Sequence, residues 1–262
     1  MKNTIKPLLF AFLGLFAAIA QPVFGQRSGG STPTAKEAPA GEIPRLQNGK
    51  PNLNGVWNHP YVPDMAKSTK AGGMSQEGPG TLPFTPAALA AFEKYDPAVD
   101  GDYTGACLPF GYLRSFNAPY PIQIMQTPEY IAFLFEQNTW FHVVPMGKQH
   151  PAQPEPTWFG DSVGKWDGDT LVIDTIGFNG KTRLDTLGHQ HSDALHVIQT
   201  LKRLDAQHLQ MELTVDDPKT YTTPWKNTRV FALMKPGQGL LEYSCEENNR
   251  DLTQGHIHLP AK

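Results

Sequence analysis

Residues 188–197 read GHQHSDALHV and hold three histidines, His189, His191 and His196. Histidine titrates closest to neutral pH of all side chains, so it can act as a general acid or base and, when neutral, as a metal ligand. The stretch therefore indicates an acid–base site, a metal site or simply the wall of a strand. Alternating hydrophobicity begins only at Ala194, which predicts a loop with His189 near solvent, His191 at the rim of a pocket and His196 on the strand that follows.

Charged side chains near these histidines favour the acid–base interpretation. Asp185 and Asp193 lie within a few residues of them, and a carboxylate within hydrogen-bond reach fixes the tautomer of a catalytic histidine. Farther along the chain, Glu246 belongs to an acidic pair that directly follows a cysteine. The predicted catalytic candidates for a lyase, isomerase or hydrolase reaction are His191, His196, Asp185 and Glu246.

The metal interpretation rests on the spacing of two histidines. His189 and His191, at positions i and i+2, face one side of an extended chain and could reach the same ion. A third ligand is needed, and His196 follows His191 by five residues, which places it on the opposite face of a continuous strand. We therefore expect no cofactor, with a divalent metal at His189 and His191 as the alternative.

The N-terminus predicts export. Lys2 and Lys6 precede an apolar run over residues 7–20, and small residues follow at two possible cleavage positions, Ala20 and Gly25. This pattern is typical of a signal peptide over residues 1–25, so we expect a periplasmic or secreted protein with no membrane insertion after cleavage. Its removal lowers the formal net charge from −3 to −5, which argues against a nucleic-acid partner.

Composition divides the rest of the chain into a leader and one domain. Residues 26–45 are rich in Gly, Ser, Thr, Pro and Ala, which predicts a flexible leader, and residues 46–262 form a single domain without a second linker. The two cysteines, Cys107 and Cys245, allow one disulfide in an oxidising compartment, and we predict that they pair. Two separate buried thiols are the alternative.

Short apolar segments broken by turn residues predict an all-β fold. Nine candidate strands are PIQIMQ, YIAFLFEQ, TWFHVVP, TWFGDSVGKW, DTLVIDTIGF, ALHVIQTLKRL, HLQMELTVD, NTRVFALM and LLEYSCEE. The sequence WDGD at 166–169 is typical of a two-residue hairpin turn. Neighbouring strands without intervening helices indicate an antiparallel meander that closes into a β-barrel or forms a related sandwich. One short helix is predicted after Thr85, which caps it, and before Asp96 and Pro97, which end it.

Two resemblances agree with this prediction. The residues Asn54-Gly55-Val56-Trp57 resemble the Gly-x-Trp strand that opens lipocalin and other calycin barrels, which implies that Trp57 fills the closed end of a barrel. The segments GKPNLNGVW, WDGDTLVIDTIGFN and HSDALHV, with others between about residues 45 and 252, resemble a large group of exported bacterial proteins of unassigned function. That likeness implies one exported β domain and no particular reaction.

Aromatic residues are abundant, with five Trp, fourteen Phe and eight Tyr. Aromatic rings line the mouths of small barrels, where they suit molecules that are partly apolar. The sequence therefore predicts a barrel that binds a small, partly apolar molecule, with an acid–base enzyme or an envelope interaction protein without a catalytic site as alternatives. The predicted ligand-binding residues are Trp158, Arg183, Trp57, Trp225 and Phe178.

Overall fold

A computed structural model describes residues 41–247. The predicted signal peptide, residues 26–40 of the predicted leader and the tail at 248–262 lie outside the described residues. Arg45, in the part of the predicted leader that is described, forms an ion pair with Asp169 at 2.5 Å. This ion pair attaches the end of the leader to the β domain.

The described chain is mostly antiparallel β-sheet. Its strands are β1 Gly55–Asn58, β2 Thr69–Ala71, β3 Met74–Glu77, β4 Ile122–Gln126, β5 Tyr130–Phe135, β6 Phe141–Pro145, β7 Asp161–Asp167, β8 Thr170–Ile176, β9 His196–Arg203, β10 His208–Asp216 and β11 Trp225–Leu233. Nine of them follow the order β6-β5-β4-β1-β11-β10-β9-β8-β7, and the β2–β3 hairpin pairs with β11 through β3. A bridge between Met146 and Gly164 joins the two ends of this order. The sheet is therefore a nearly closed barrel, as predicted.

Alternating burial explains why these segments form barrel strands. Along β10, buried Leu209, Met211, Leu213 and Val215 alternate with half-buried polar residues, which matches the two-residue period of a strand. The predicted hairpin is also confirmed, because Asp167 pairs with Thr170 across a two-residue turn.

One predicted strand is wrong. Residues 240–247 form no strand. The physical reason lies in β11, because one of its edges pairs with β10 and the other pairs with β1 and β3. No free edge of β11 remains for the segment that follows it, and β1 takes the place between β11 and β4.

The predicted helix is confirmed as α1, Pro86–Lys94, with the Thr85 hydroxyl accepting a hydrogen bond from the Ala88 amide at 3.3 Å. Two shorter helices, α2 Pro97–Asp100 and α3 Tyr112–Ser115, were not predicted. One-turn helices carry too few residues to show an apolar period, so the sequence gives no signal for them.

The barrel interior is filled. Tyr112 and Leu113 of α3, with Phe116 directly after it, are fully buried in the same core cluster as the inward side chains of the strands. The void beside Tyr112, Phe178 and His191 has no room for a water molecule. At the other end Trp57 is fully buried, with the Arg203 guanidinium 5.0 Å from its ring centre. The interior around these residues is therefore closely packed.

The predicted disulfide is confirmed. Cys107 and Cys245 are bonded, their Cα atoms lie 5.6 Å apart, and 138 residues separate them in sequence. The bond ties the segment before α3 to the segment after β11. Within residues 41–247, the structure has no helix that is both long and apolar enough to cross a membrane.

Candidate functional site

A cleft of about 250 Å³ lies beside the disulfide. Its walls are the two cysteines, the turn between β5 and β6, and the segment that follows β11. The lining residues are Cys107, Asn138, Thr139, Trp140, Glu242, Tyr243, Ser244, Cys245 and Glu246. The disulfide holds two of these walls together, so the shape of the cleft depends on that bond.

The β5–β6 turn, residues 136–140, has a strained backbone. Asn138 has a φ of 61° and Thr139 a φ of 52°. Asparagine adopts this left-handed region fairly often, but a β-branched residue such as threonine is a genuine outlier there. Backbone strain of this kind is concentrated at binding and catalytic sites, where the surrounding structure maintains it.

Several polar atoms of the same turn have no partner. Across the described residues, eleven buried side-chain nitrogen or oxygen atoms make no hydrogen bond, and four of them belong to Gln137, Asn138 and Trp140. They are the Gln137 Oε1, both polar atoms of the Asn138 amide and the Trp140 Nε1. A buried polar atom without a partner destabilises the folded state by about 1–3 kcal/mol, so this turn destabilises the free protein.

Acidic and aromatic groups give the cleft its chemical character. Glu242 and Glu246 contribute two exposed carboxylates, and no cationic side chain is among the lining residues. Trp140 packs near Phe159 with ring centres 6.2 Å apart. The cleft therefore combines a flat apolar surface and an unsatisfied amide with negative charge, which suits neutral or cationic groups better than anions.

His189 is buried, which corrects the expectation that it lies near solvent. Its side chain is only 4% exposed, and its Nδ1 lies 2.6 Å from Asp185 Oδ2. The imidazole stacks on Phe92 of α1, with ring centres 4.7 Å apart. The reason for the burial is the predicted helix itself, because Phe92 of α1 packs over the imidazole of His189.

Asp185 organises the loop of residues 182–193, called here the Asp185 loop. Its carboxylate accepts hydrogen bonds from the Met65 amide at 2.8 Å and the His189 amide at 3.2 Å, besides the contact with the imidazole. Burial lowers the pKa of Arg229 to about 9, and the negative charge of Asp185 offsets part of that effect. Asp185 therefore joins two loops and compensates a buried cation.

The other two histidines of GHQHSDALHV lie in different surroundings. His191 is buried, its Nε2 lies 2.5 Å from the Thr182 hydroxyl, and burial lowers its pKa. His196 begins β9 on the outside of the barrel, where its Nε2 lies 2.7 Å from Asp174 Oδ1.

No hydrogen bond, ion pair or ring contact in residues 41–247 joins any two of the four predicted catalytic residues. Glu246 lines the cleft, whereas Asp185 binds His189. The acid–base constellation therefore stays a prediction.

The predicted ligand-binding residues are mostly core residues. Trp57, Trp225 and Phe178 are buried in the barrel core. The Arg183 guanidinium lies 4.5 Å from the ring centre of Tyr95, and Trp158 is half-buried. None of the five lines the cleft.

Sequence reasoning missed the turn residues that do line the cleft. The sequence placed Gln137 at the end of the predicted strand YIAFLFEQ and Thr139 at the start of TWFHVVP, and it did not mark the left-handed conformation at Thr139. An Asn followed by a β-branched residue at a short strand connection is the one signal that could have drawn attention to this place.

One group of three side chains has the spacing of metal ligands. Single ligand atoms of Asp64, Asp185 and His189 all lie within 4.8 Å of one another. The donors are already occupied, because Asp185 accepts three N–H groups and Asp64 Oδ1 accepts from the Ala66 amide at 2.8 Å. These residues fit a hydrogen-bonded loop contact better than a metal, and the predicted pair of His189 and His191 is not part of such a group.

Comparisons with known proteins show little similarity. No protein-family model and no curated protein matches the chain. One solved structure that matches is described as a REP1-NXSQ fatty acid transporter, with a TM-score of 0.34 and 14% sequence identity. The alignment covers 70% of this chain and 96% of that chain.

Proposed function

We propose that the protein binds a small, partly apolar molecule in the cleft beside the disulfide, and not inside the barrel. The observation that carries this proposal is the β5–β6 turn, where a strained backbone and four unsatisfied polar atoms coincide with a wall of the cleft. A ligand that forms hydrogen bonds to these atoms removes the penalty for leaving them unpaired, and this favours binding.

The lining of the cleft defines the class of ligand. Trp140 offers an aromatic ring, and the Asn138 amide offers one acceptor and two donors. The two glutamates disfavour anions. We infer a flat, neutral or cationic molecule with an amide-like polar end, of a size that fits about 250 Å³.

A small movement of the segment after β11 would let a ligand contact the polar atoms of the β5–β6 turn. The polar atoms of Asn138 and Trp140 are covered in the free protein. Residues 242, 244 and 246 of the opposite wall are exposed to solvent. We propose that a ligand displaces this segment slightly and then contacts the turn.

The disulfide bears on the compartment in which the cleft would bind its ligand. The bond between Cys107 and Cys245 forms two walls of the cleft, and such bonds are kept in oxidising compartments. We therefore propose that binding takes place in the periplasm or outside the cell, in agreement with the N-terminal sequence.

The test uses three probes of nearly equal shape and different charge: benzamidine, benzamide and benzoate. Binding to the full mature chain is measured by ligand-observed NMR titration. We expect benzamidine and benzamide to bind at least about tenfold more tightly than benzoate, a difference of about 1.4 kcal/mol. Glu246→Gln should reduce this preference, because it removes one of the two carboxylates.

Variants locate the bound probe. Trp140→Ala and Asn138→Ala should abolish detectable benzamidine binding, whereas Trp158→Ala, which removes a half-buried tryptophan outside the cleft, should leave it unchanged. Equal affinity for all three probes, or binding that survives Trp140→Ala, would show that the cleft is not the binding site.

A further inference from the structure

A second cluster of chemically capable side chains lies on the outer wall of the barrel. His150, in the connection between β6 and β7, lies over Asp161 of β7 and Asp174 of β8. His196, the first residue of β9, contacts the same Asp174. Three adjacent strands and one loop therefore contribute two imidazoles and two carboxylates to one place, away from the residues that line the cleft.

Asp161 fixes the orientation of His150. The Nδ1 of His150 lies 2.5 Å from Asp161 Oδ1, so this nitrogen carries the proton that the carboxylate accepts. The other ring nitrogen, Nε2, is then the one with a free lone pair. A carboxylate that holds the far nitrogen of an imidazole in this way is the usual support of a metal-binding histidine.

The free nitrogen of His150 points toward Asp174 without bonding to it. His150 Nε2 is buried and makes no hydrogen bond, although Asp174 Oδ1 lies 3.5 Å away. Two ligand atoms that bind zinc at about 2.0–2.1 Å with tetrahedral angles lie about 3.3 Å apart. The gap between His150 and Asp174 is thus close to the separation that a bound ion requires.

His196 completes the set. Its Nε2 lies 2.7 Å from the same Asp174 oxygen, and both side chains are 40% exposed, which leaves them room to move apart around an ion. An ion bound between them would replace the hydrogen bond from His196 Nε2 to Asp174, and the neutral imidazole would then carry its proton on Nδ1.

We infer that His150, Asp174 and His196 form a binding site for a divalent first-row transition ion, with Asp161 as the residue that orients His150. Two imidazoles and one carboxylate are the ligands that Zn²⁺ and related ions prefer, and water fills the remaining positions. The site connects the β6–β7 loop with β8 and β9, next to the single bridge that closes the barrel.

This site differs from the group of Asp64, Asp185 and His189 in the state of its donors. In that group the carboxylate of Asp185 already accepts three hydrogen bonds. On the outer wall one imidazole nitrogen has no partner, and exposed side chains can adjust. Adjustment is required, because the outer ligand atoms do not meet the mutual spacing that the inner group has.

The experiment measures zinc binding to the full mature chain without an affinity tag. His256 and His258 are replaced by alanine in every sample, because their i, i+2 spacing could bind zinc independently. Isothermal titration with Zn²⁺ and elemental analysis after equilibrium dialysis should give one zinc per chain. We expect His150→Ala, His196→Ala and Asp174→Asn each to weaken binding more than about a hundredfold, and Asp161→Asn to weaken it about tenfold.

Matched controls keep the result interpretable. His208 forms a similar partly exposed contact with Asp205, so His208→Ala tests whether any surface pair of this type binds zinc. His208→Ala should leave the affinity for zinc unchanged. Without metal, the free energy of unfolding should be the same in all variants of the outer wall. Absence of zinc binding at 100-fold molar excess, or loss of binding in His189→Ala and not in His196→Ala, would overturn the inference. Neither result depends on whether benzamidine binds in the cleft.

Discussion

The Asp185 loop and the β5–β6 turn are both connections between strands that bury polar groups, but they satisfy those groups to different degrees. In the Asp185 loop the central carboxylate accepts three hydrogen bonds and the His191 imidazole bonds to Thr182. In the turn, the polar side-chain atoms of Gln137, Asn138 and Trp140 noted above have no partner. Similar burial therefore has opposite energetic consequences in the two places.

The difference distinguishes buried polar groups that stabilise the fold from buried polar groups that can bind a ligand. A buried group whose hydrogen bonds are complete stabilises the fold and gains nothing from a ligand, because it has no free donor or acceptor to offer. A buried group with an unpaired donor or acceptor destabilises the free protein, and a ligand that pairs with it removes this destabilisation. The Asp185 loop, whose histidines His189 and His191 look reactive in the sequence, therefore belongs to the first kind.

The largest effect is expected at the Asp185 loop. Asp185→Asn replaces one of the two accepting carboxylate oxygens by an NH2 group that faces an N–H donor, and it removes the charge that partly offsets the buried Arg229. The free energy of unfolding should fall by about 3–5 kcal/mol, as when one partner of a buried pair is removed. Denaturant-induced unfolding measures the change.

Asp193→Asn is the matched control, because Asp193 forms an exposed ion pair with Lys219. Such surface pairs contribute between zero and about 1 kcal/mol. If both substitutions cost the same, the Asp185 loop is not the structural element described here, and a catalytic role for Asp185 becomes the better interpretation.

The fold was more predictable than the site for a physical reason. Eight of the nine predicted strands exist because alternation of apolar and polar residues is a local property, visible along HLQMELTVD or DTLVIDTIGF. The wrong strand at 240–247 failed because sheet edges were already occupied, which is a property of the whole topology. His189 was misplaced for a related reason, since its burial depends on α1, about a hundred residues earlier in the chain.

A second effect concerns the interior of the barrel, where buried histidines are stable only in their neutral form. Burial lowers the pKa of His142 to about 4, and its Nε2 lies 2.8 Å from the Ser162 hydroxyl. The unfolded chain takes up a proton near pH 6.5, whereas the folded chain does not until about pH 4. Stability is therefore complete above pH 6.5 and is lost as the pH falls toward 4, by up to about 1.4 kcal/mol per pH unit for one such group.

His142→Gln tests this pH dependence. Glutamine keeps a hydrogen-bonding group near Ser162 but cannot titrate, so the slope of unfolding free energy against pH between 6.5 and 4 should decrease by about 1 kcal/mol per pH unit. Part of the slope should remain, because burial also lowers the pKa of His59 to about 4. An unchanged slope would mean that His142 is protonated in the folded protein.

The smallest effect, and the one that bears most directly on the proposed site, is expected at Thr139. A left-handed conformation costs an ordinary residue about 1–2 kcal/mol, and glycine adopts it freely but loses about 0.5–1 kcal/mol through its greater backbone entropy. Thr139→Gly should therefore raise the free energy of unfolding by about 0.5–1 kcal/mol. The same freedom lets the turn relax away from the conformation that holds Asn138 and Trp140 at the cleft, so benzamidine should bind about threefold more weakly, equivalent to about 0.7 kcal/mol.

Thr139→Ala is the control. It keeps a Cβ and most of the strain, so it should change the free energy of unfolding and the affinity for benzamidine less than Thr139→Gly does. A Thr139→Gly protein that is less stable, or that binds the probe as tightly as before, would show that the turn stores no strain for binding and that the contrast with the Asp185 loop has no functional meaning.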